Sequence, residues 1–208
     1  MNQMKTIKAI DTIYRGYRFR SRLEARWAVF MDAINVRFEY EGEGFAFDGV
    51  AYLPDFFLPD MDCFLEIKPT DPSEEEVRKA ELLCEHTGKN VYILVGQPCC
   101  PCLGDYPNRW YGNNSQMHSF ACDLSFKDDH DSGAQQDSHY LWCECPKCGK
   151  IGIEFDGRAE RIGCGCGCGC ASGLGGCDRR YNFDSPRLVS AYNAARGYRF
   201  EHNTYNSR

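Results

Sequence analysis

Leu53-Pro54-Asp55-Phe56-Phe57 and, ten residues after Asp55, Leu65-Glu66-Ile67-Lys68-Pro69 are the two segments that decide how this chain is read. Side chains alternate along an extended strand, so Glu66 and Lys68 share one face while Leu65 and Ile67 point to the other. Two charges on one face of a mostly apolar strand are costly unless they are paired or hold a metal. If residues 51–58 run antiparallel to residues 62–68, Asp55 lies beside Glu66. Two carboxylates so placed repel each other without a cation, and their oxygens suit a hard ion such as magnesium or manganese. Lys68 is then placed to orient or deprotonate a water, or to offset negative charge building on a phosphate. The competing reading is a surface ion pair on an edge strand. The Pro-Asp upstream, the apolar flanks and an earlier helix bearing Glu24 favour the site.

Outward from these segments the pattern is that of an α/β domain. Ser21 reads as an N-cap with Glu24 three residues on as its capping-box partner, and Leu23, Trp27, Phe30, Met31 and Ile34 form one helical stripe. Residues 36–40 and 45–47 read as strands with Gly42 and Gly44 marking a turn; residues 51–58 and 62–68 read as two more, separated by Pro59 and Asp60. A second helix follows, capped by Asp71 or Ser73, with Glu74, Glu75 and Glu76 at its positive end and Gly88 at its stop. The apolar run 91–95 reads as a strand buried on both faces. The expected order is αβββαβ.

Residues 19–28 (FRSRLEARWA), then Leu53-Pro54-Asp55-Phe56, then Glu66-Ile67-Lys68-Pro69, resemble the PD-(D/E)XK nuclease superfamily, whose fold is restriction-endonuclease-like, and within it the small phage-encoded members with a cysteine-rich C-terminal region. The resemblance covers about residues 14–97, and that superfamily's core has the αβββαβ order. It implies Asp55 and Glu66 as ligands of Mg2+ or Mn2+, the Ile67 carbonyl as a third, Lys68 as the catalytic lysine and Glu24 as an additional acid at the edge of the site. Glu24 has a competing explanation as a cap of its own helix. The implied activity is metal-dependent hydrolysis of phosphodiester bonds in nucleic acid, with DNA expected. The segment Tyr14-Arg15-Gly16-Tyr17-Arg18-Phe19-Arg20 fits it, because alternating cations and rings contact phosphates and stack on bases, with Arg15, Arg18 and Arg20 as the contacts. A strand with one wet face explains the same pattern.

Of 14 cysteines in the chain, eight lie between Cys143 and Cys177. Cys145-Pro146-Lys147-Cys148-Gly149 has the form of a zinc knuckle, and fifteen residues separate Cys148 from Cys164. Within that interval Ile151, Ile153 and Phe155 alternate and Asp156-Gly157 signals a hairpin whose return strand ends at Cys164 and Cys166. Cys145, Cys148, Cys164 and Cys166 are therefore the expected ligands of one structural Zn2+. The alternating Cys-Gly run keeps Cys168 and Cys170 in competition for the last two places, and Cys143 competes with Cys145. Cys99, Cys102, His118 and Cys122 have ligand-like spacings but no paired knuckle. Leu188, Tyr192 and Ala195 share one face of a closing helix expected to dock on the first domain.

The chain has 208 residues, 43% apolar and 26% charged, with a net charge of -6. That is enough for a hydrophobic core and argues against disorder. No run approaches the roughly 18 apolar residues of a membrane helix, and the first residues lack an apolar signal core, so a cytoplasmic protein is expected, in the host cytoplasm if phage-encoded, with no membrane partner. The expected organisation is a nuclease-like domain over residues 1–98, an irregular connection over 99–140 and a zinc-ribbon-like module with a closing helix over 141–208. Nucleic acid is the expected partner; a homodimer or a protein partner stays open. The other function class is a catalytically inactive nuclease-fold protein that binds nucleic acid or a protein partner through its zinc ribbon.

Overall fold

The computed structural model describes residues 10–47, 49–70, 72–100, 117–120, 140–155, 159, 162–166 and 182–200. A hairpin of β1 (Thr12–Tyr14) and β2 (Tyr17–Phe19) turns through Arg15 and Gly16, both at positive φ, and leads into α1 (Arg22–Ala33). The Ser21 hydroxyl accepts the Glu24 backbone N–H at 3.1 Å, which starts α1 as the capping pattern foresees.

Among the described residues the main sheet has five strands: β3 (Glu39–Tyr40), then β6 (Phe56–Leu58), β7 (Cys63–Lys68), β8 (Asn90–Val95) and β9 (Met117–Phe120), adjacent in that order. β7 and β8 are parallel and the other pairs antiparallel. A separate hairpin, β4 (Phe45–Phe47) with β5 (Val50–Tyr52), is inserted between β3 and β6. The strand expected over 51–58 is thus two strands in two sheets. Pro54 lies at the break, where its missing N–H does no harm to a ladder. The parallel pair is connected by α2 (Glu74–Thr87), capped by Ser73 in a full capping box with Glu76 and stopped by Gly88 in the left-handed region at φ 69°.

Alternation divides the sheet into two apolar faces. Phe56, Leu58, Cys63, Leu65, Ile67, Tyr92 and Leu94 pack on α1, while Phe64, Val91, Ile93 and Val95 pack on α2 and on rings of the β4–β5 hairpin. The stripe on α1 buries Trp27, Phe30, Met31 and Ile34 almost completely, and each such side chain is worth about 1.5–3 kcal/mol. Trp27 Nε1 donates to the Gly96 carbonyl at 3.0 Å, fastening α1 to the end of β8.

The C-terminal part completes the first core. β10 (Tyr140–Glu144) and β11 (Ile151–Phe155) form a hairpin, and α3 (Pro186–Gly197) buries Leu188, Tyr192 and Ala195 against α1, with the Tyr192 and Phe30 rings stacked at 4.4 Å. Trp142 meets the same Phe30 ring edge-on. Two expectations change here. The stretch 99–140, read as an irregular connection, supplies β9 to the main sheet. The partner of β11 is β10, which precedes it, so the knuckle itself is the hairpin turn; Asp156 and Gly157 lie outside the described residues. No helix among the described residues is long and apolar enough to cross a membrane.

Candidate active site and cysteine centre

The ladder between β6 and β7 ends with Phe56 opposite Leu65. Continued by one residue, it sets Asp55 opposite Glu66, both on the face of the sheet that carries α2. Past the ladder's end the Ile67 N–H has no strand partner, and Asp55 Oδ2 accepts it at 2.7 Å. Amide and carbonyl of a strand residue point to the same side, so the Ile67 carbonyl also looks toward Asp55. Meanwhile Lys68 accepts the Gly96 N–H on the β8 side at 2.8 Å.

Asp55 and Glu66 are only 3% and 6% exposed. Burial first, and then the charge of Glu66, pushes the Asp55 carboxyl up to about 8. Glu66 is held at both oxygens: Oε1 by Lys68 Nζ at 2.8 Å, and Oε2 by the Tyr52 hydroxyl at 2.9 Å and the Asp55 backbone N–H at 3.4 Å. Burial works against the charge of Lys68, but Glu66 and Glu76 together outweigh it and hold its pKa above the ordinary value. Lys68 therefore stays an ammonium ion, which suits offsetting charge on a phosphate better than deprotonating a water.

Glu24 lines the same cleft but is bound to its own surroundings. Its carboxylate accepts the Ser21 hydroxyl at 2.6 Å, the Tyr40 hydroxyl at 2.6 Å and the Arg20 N–H at 3.2 Å. It thus fixes the start of α1 and borders the site. The three arginines separate as well. Arg15 pairs with Asp32 at 3.2 Å and Arg18 with Asp11 at 2.5 Å, both on the exposed hairpin, whereas Arg20 reaches the site and pairs with Asp55 at 2.9 Å and with Glu41. The cleft holds about 410 Å³ and is lined by four carboxylates, Glu24, Asp55, Glu66 and Glu76, and three cations, Arg20, Lys68 and Lys79. Such alternation accommodates a cation and a phosphate side by side.

Sequence reasoning missed Glu76 and Tyr52. Glu76 Oε2 accepts the Ser73 N–H at 2.8 Å and its Oε1 contacts Lys68 Nζ at 3.0 Å. The sequence offers Ser73 as one of two cap candidates and Glu76 as one of three acids in the first turn, but the contact with Lys68 arises only when α2 lies across β7.

The second centre is cysteine. The Sγ atoms of Cys145, Cys148, Cys164 and Cys166 all lie within 4.8 Å of one another, and among the described residues no other group of three or more His, Cys, Asp or Glu side chains gathers in this way. Separations of 3.7 Å for Cys145–Cys166, 3.6 Å for Cys145–Cys164 and 3.2 Å for Cys164–Cys166 approach the roughly 3.8 Å between sulfurs that share a tetrahedral zinc at about 2.3 Å. This soft, four-thiol donor set can hold zinc. The backbone N–H of Cys166 holds the Cys164 thiol down to about 7, which favours the thiolate that a metal needs. Cys143 lies in β10 with its Sγ directed to the Gly152 carbonyl at 3.7 Å and is not in the set. Cys168 and Cys170 lie outside the described residues, as do Cys102 and Cys122 and the side chain of His118. Gly152 admits Ile162 beneath the knuckle, since a Cβ there would meet Ile162 Cγ1 at 2.9 Å. Arg187 ties the knuckle to the core by donating to the carbonyls of Gly149 (2.9 Å) and of Ile34 at the end of α1.

Comparison with protein families, with curated proteins and with solved structures finds no match to this chain.

Proposed function

We propose that this protein is a divalent-metal-dependent nuclease of the restriction-endonuclease-like type that hydrolyses phosphodiester bonds in DNA. The observation that carries the reading is the meeting of Asp55 and Glu66 on one face of neighbouring strands, with Lys68 Nζ 2.8 Å from Glu66, in a cleft that also presents Arg20 and Lys79. The order α1, β3, β6, β7, α2, β8 around the main sheet supports it. Asp55, Glu66 and the Ile67 carbonyl are hard oxygen donors that fit Mg2+ or Mn2+. When bound, the ion supplies positive charge that polarises the phosphate and lowers the pKa of a water.

The protein groups then have separate tasks. Lys68, kept protonated between Glu66 and Glu76, faces the phosphate and offsets the negative charge that grows on its oxygens. Tyr52 is a hydrogen-bond donor whose pKa is raised by burial and by Glu66, so it holds one oxygen of Glu66 in place and leaves the other to Lys68. Glu24 is a positioning residue, holding Tyr40 and the Arg20 main chain at the rim. The four-cysteine centre with zinc is structural, because four thiolates close the coordination and leave no position for a reactive water.

The test is incubation of the zinc-loaded chain with single-stranded, duplex and branched DNA in Mg2+ or Mn2+. Cleavage is expected, and Asp55→Asn and Lys68→Ala are expected to abolish it while leaving fold and zinc content unchanged. A protein that retards DNA in a gel and cuts none of these substrates is instead a nuclease-fold binding protein.

A further inference from the structure

Every oxygen of Asp55 and Glu66 has a partner, and the partners differ in how readily they leave. The Ile67 N–H on Asp55 Oδ2 belongs to β7 and moves only with the strand. Tyr52 on Glu66 Oε2 is largely buried, and Lys68 on Glu66 Oε1 is gripped from α2 by Glu76 at 3.0 Å. Asp55 Oδ1 is covered by Arg20 Nη2 at 2.9 Å, and here the partner is loose: the Arg20 side chain is 57% exposed against 4% for Asp55. Its Nε already pairs with Glu41, a second anchor outside the carboxylate site. The Arg20 main chain, by contrast, is fixed by donating to the Tyr40 hydroxyl at 2.9 Å and to Glu24 at 3.2 Å. Side-chain rotation alone therefore uncovers Asp55 Oδ1.

We propose that Arg20 is a gate on the carboxylate site: its guanidinium stands in the cation position on Asp55 Oδ1, turns off toward Glu41 when a divalent ion takes that oxygen, and in the released position meets a phosphate oxygen of the substrate. This rests on the metal-dependent reading above. Two cations on one carboxylate oxygen repel each other, so metal and guanidinium exclude one another there. The planar fork of donors released by that exchange suits phosphate better than an ammonium ion would. Arg20 thus links metal arrival to substrate capture.

Mn2+ binding to the zinc-loaded chain, followed by electron paramagnetic resonance, tests this apart from activity. Arg20→Ala is expected to bind Mn2+ about five-fold more tightly, the worth of a half-exposed ion pair. Arg20→Gln serves as the second variant if alanine disturbs the start of α1, and the same tightening is expected. With Ca2+ as a non-cleaving ion, both variants are expected to bind DNA more weakly. Glu41→Gln is expected to weaken Mn2+ binding in the native background and to have no effect once Arg20 is replaced, since Glu41 acts through Arg20. Unchanged or weaker Mn2+ binding in the Arg20 variants, while Asp55→Asn abolishes it, overturns the gate and leaves the metal reading standing. Mn2+ binding that Asp55→Asn does not weaken overturns both.

Discussion

The carboxylate of Asp55 and the backbone N–H of Ile67 are joined by a hydrogen bond of 2.7 Å at the place where the β6–β7 ladder ends. A buried acid here takes over the role of the next ladder residue. Its position is set by main chain on both sides, because its own carbonyl accepts the Glu41 N–H at 3.0 Å. Asp55 is thus built into the sheet, and its carboxyl faces Glu66 whether or not a cation is at hand.

Two substitutions of Asp55 separate these roles. Asp55→Ala leaves the buried Ile67 N–H without an acceptor and is expected to cost about 1–3 kcal/mol. Asp55→Asn keeps an acceptor for the Ile67 N–H and is neutral, as the native carboxyl is below about pH 8, so its metal-free stability is expected within about 1 kcal/mol of the native protein. Both lose stabilisation by Mn2+. Urea unfolding with and without Mn2+ checks the difference; equal destabilisation by Asn and Ala contradicts it.

Acid pH and metal compete for the same group. Burial, followed by the charge of Glu66, moves Asp55 from 3.8 up to about 8, with the Ile67 N–H and Lys68 acting in the opposite sense. Its contribution to metal-free stability is full below the unfolded value of 3.8 and is lost as the pH rises to about 8, because the unfolded chain ionises first. A divalent ion must displace the proton. Mn2+ affinity is therefore expected to climb with pH and level off above about 8, with close to one proton released per ion near pH 6.5. Calorimetry in buffers of different ionisation heat measures this, and a release independent of pH contradicts it.

Glu76 connects helix capping to the site. The Ser73 N–H first, and then Lys68, hold its carboxyl down to about 2, so its contribution is present above the ordinary 4.5 and disappears as the pH falls toward 2. Glu76→Gln keeps an acceptor for Ser73 but removes a charge from Lys68. Cleavage is expected to slow about tenfold with DNA affinity little changed, since the loss falls on charge developed during reaction. A loss confined to affinity, read from steady-state kinetics, contradicts this role.

How much was legible follows from where each constraint resides. Asp55, Glu66 and Lys68 could be read because period-two alternation and one antiparallel pairing bring them together, and both are local. The four clustered cysteines could be read because the knuckle and Cys164-Gly165-Cys166 carry their spacing in the chain itself, with Gly149, Gly163 and Gly165 at positive φ shaping the turns. Glu76 and Tyr52 enter the site only through packing of α2 and the β4–β5 hairpin on β7, for which no short-range signal exists. The strand β9 comes from a stretch rich in turn formers, and its pairing with β8 is a long-range event. The Pro54 break was visible as a residue but not as a change of sheet. The sequence pattern marks Arg20 as a phosphate contact, whereas the fold pairs it with Asp55.

Zinc is expected to hold the C-terminal part together. Among the described residues, Cys143, Cys145, Ala159 and Ile162, with Cys164 and Cys166 packed against them, form too small a cluster to order this segment alone. Cys148→Ser is expected to lower the zinc content by one ion per chain and the Tm by about 5–10 °C, corresponding to a few kcal/mol. Elemental analysis and scanning calorimetry check both; a variant with unchanged zinc and Tm rules out Cys148 as a ligand.

Crystals soaked in Mn2+ and measured for anomalous scattering bear most directly on the acid pair. An anomalous peak is expected between Asp55 Oδ1 and Glu66, within coordination distance of the Ile67 carbonyl, with Arg20 turned toward Glu41. Saturating Mn2+ with no peak at Asp55 and Glu66, and Arg20 still on Asp55, contradicts the metal site and with it the nuclease reading.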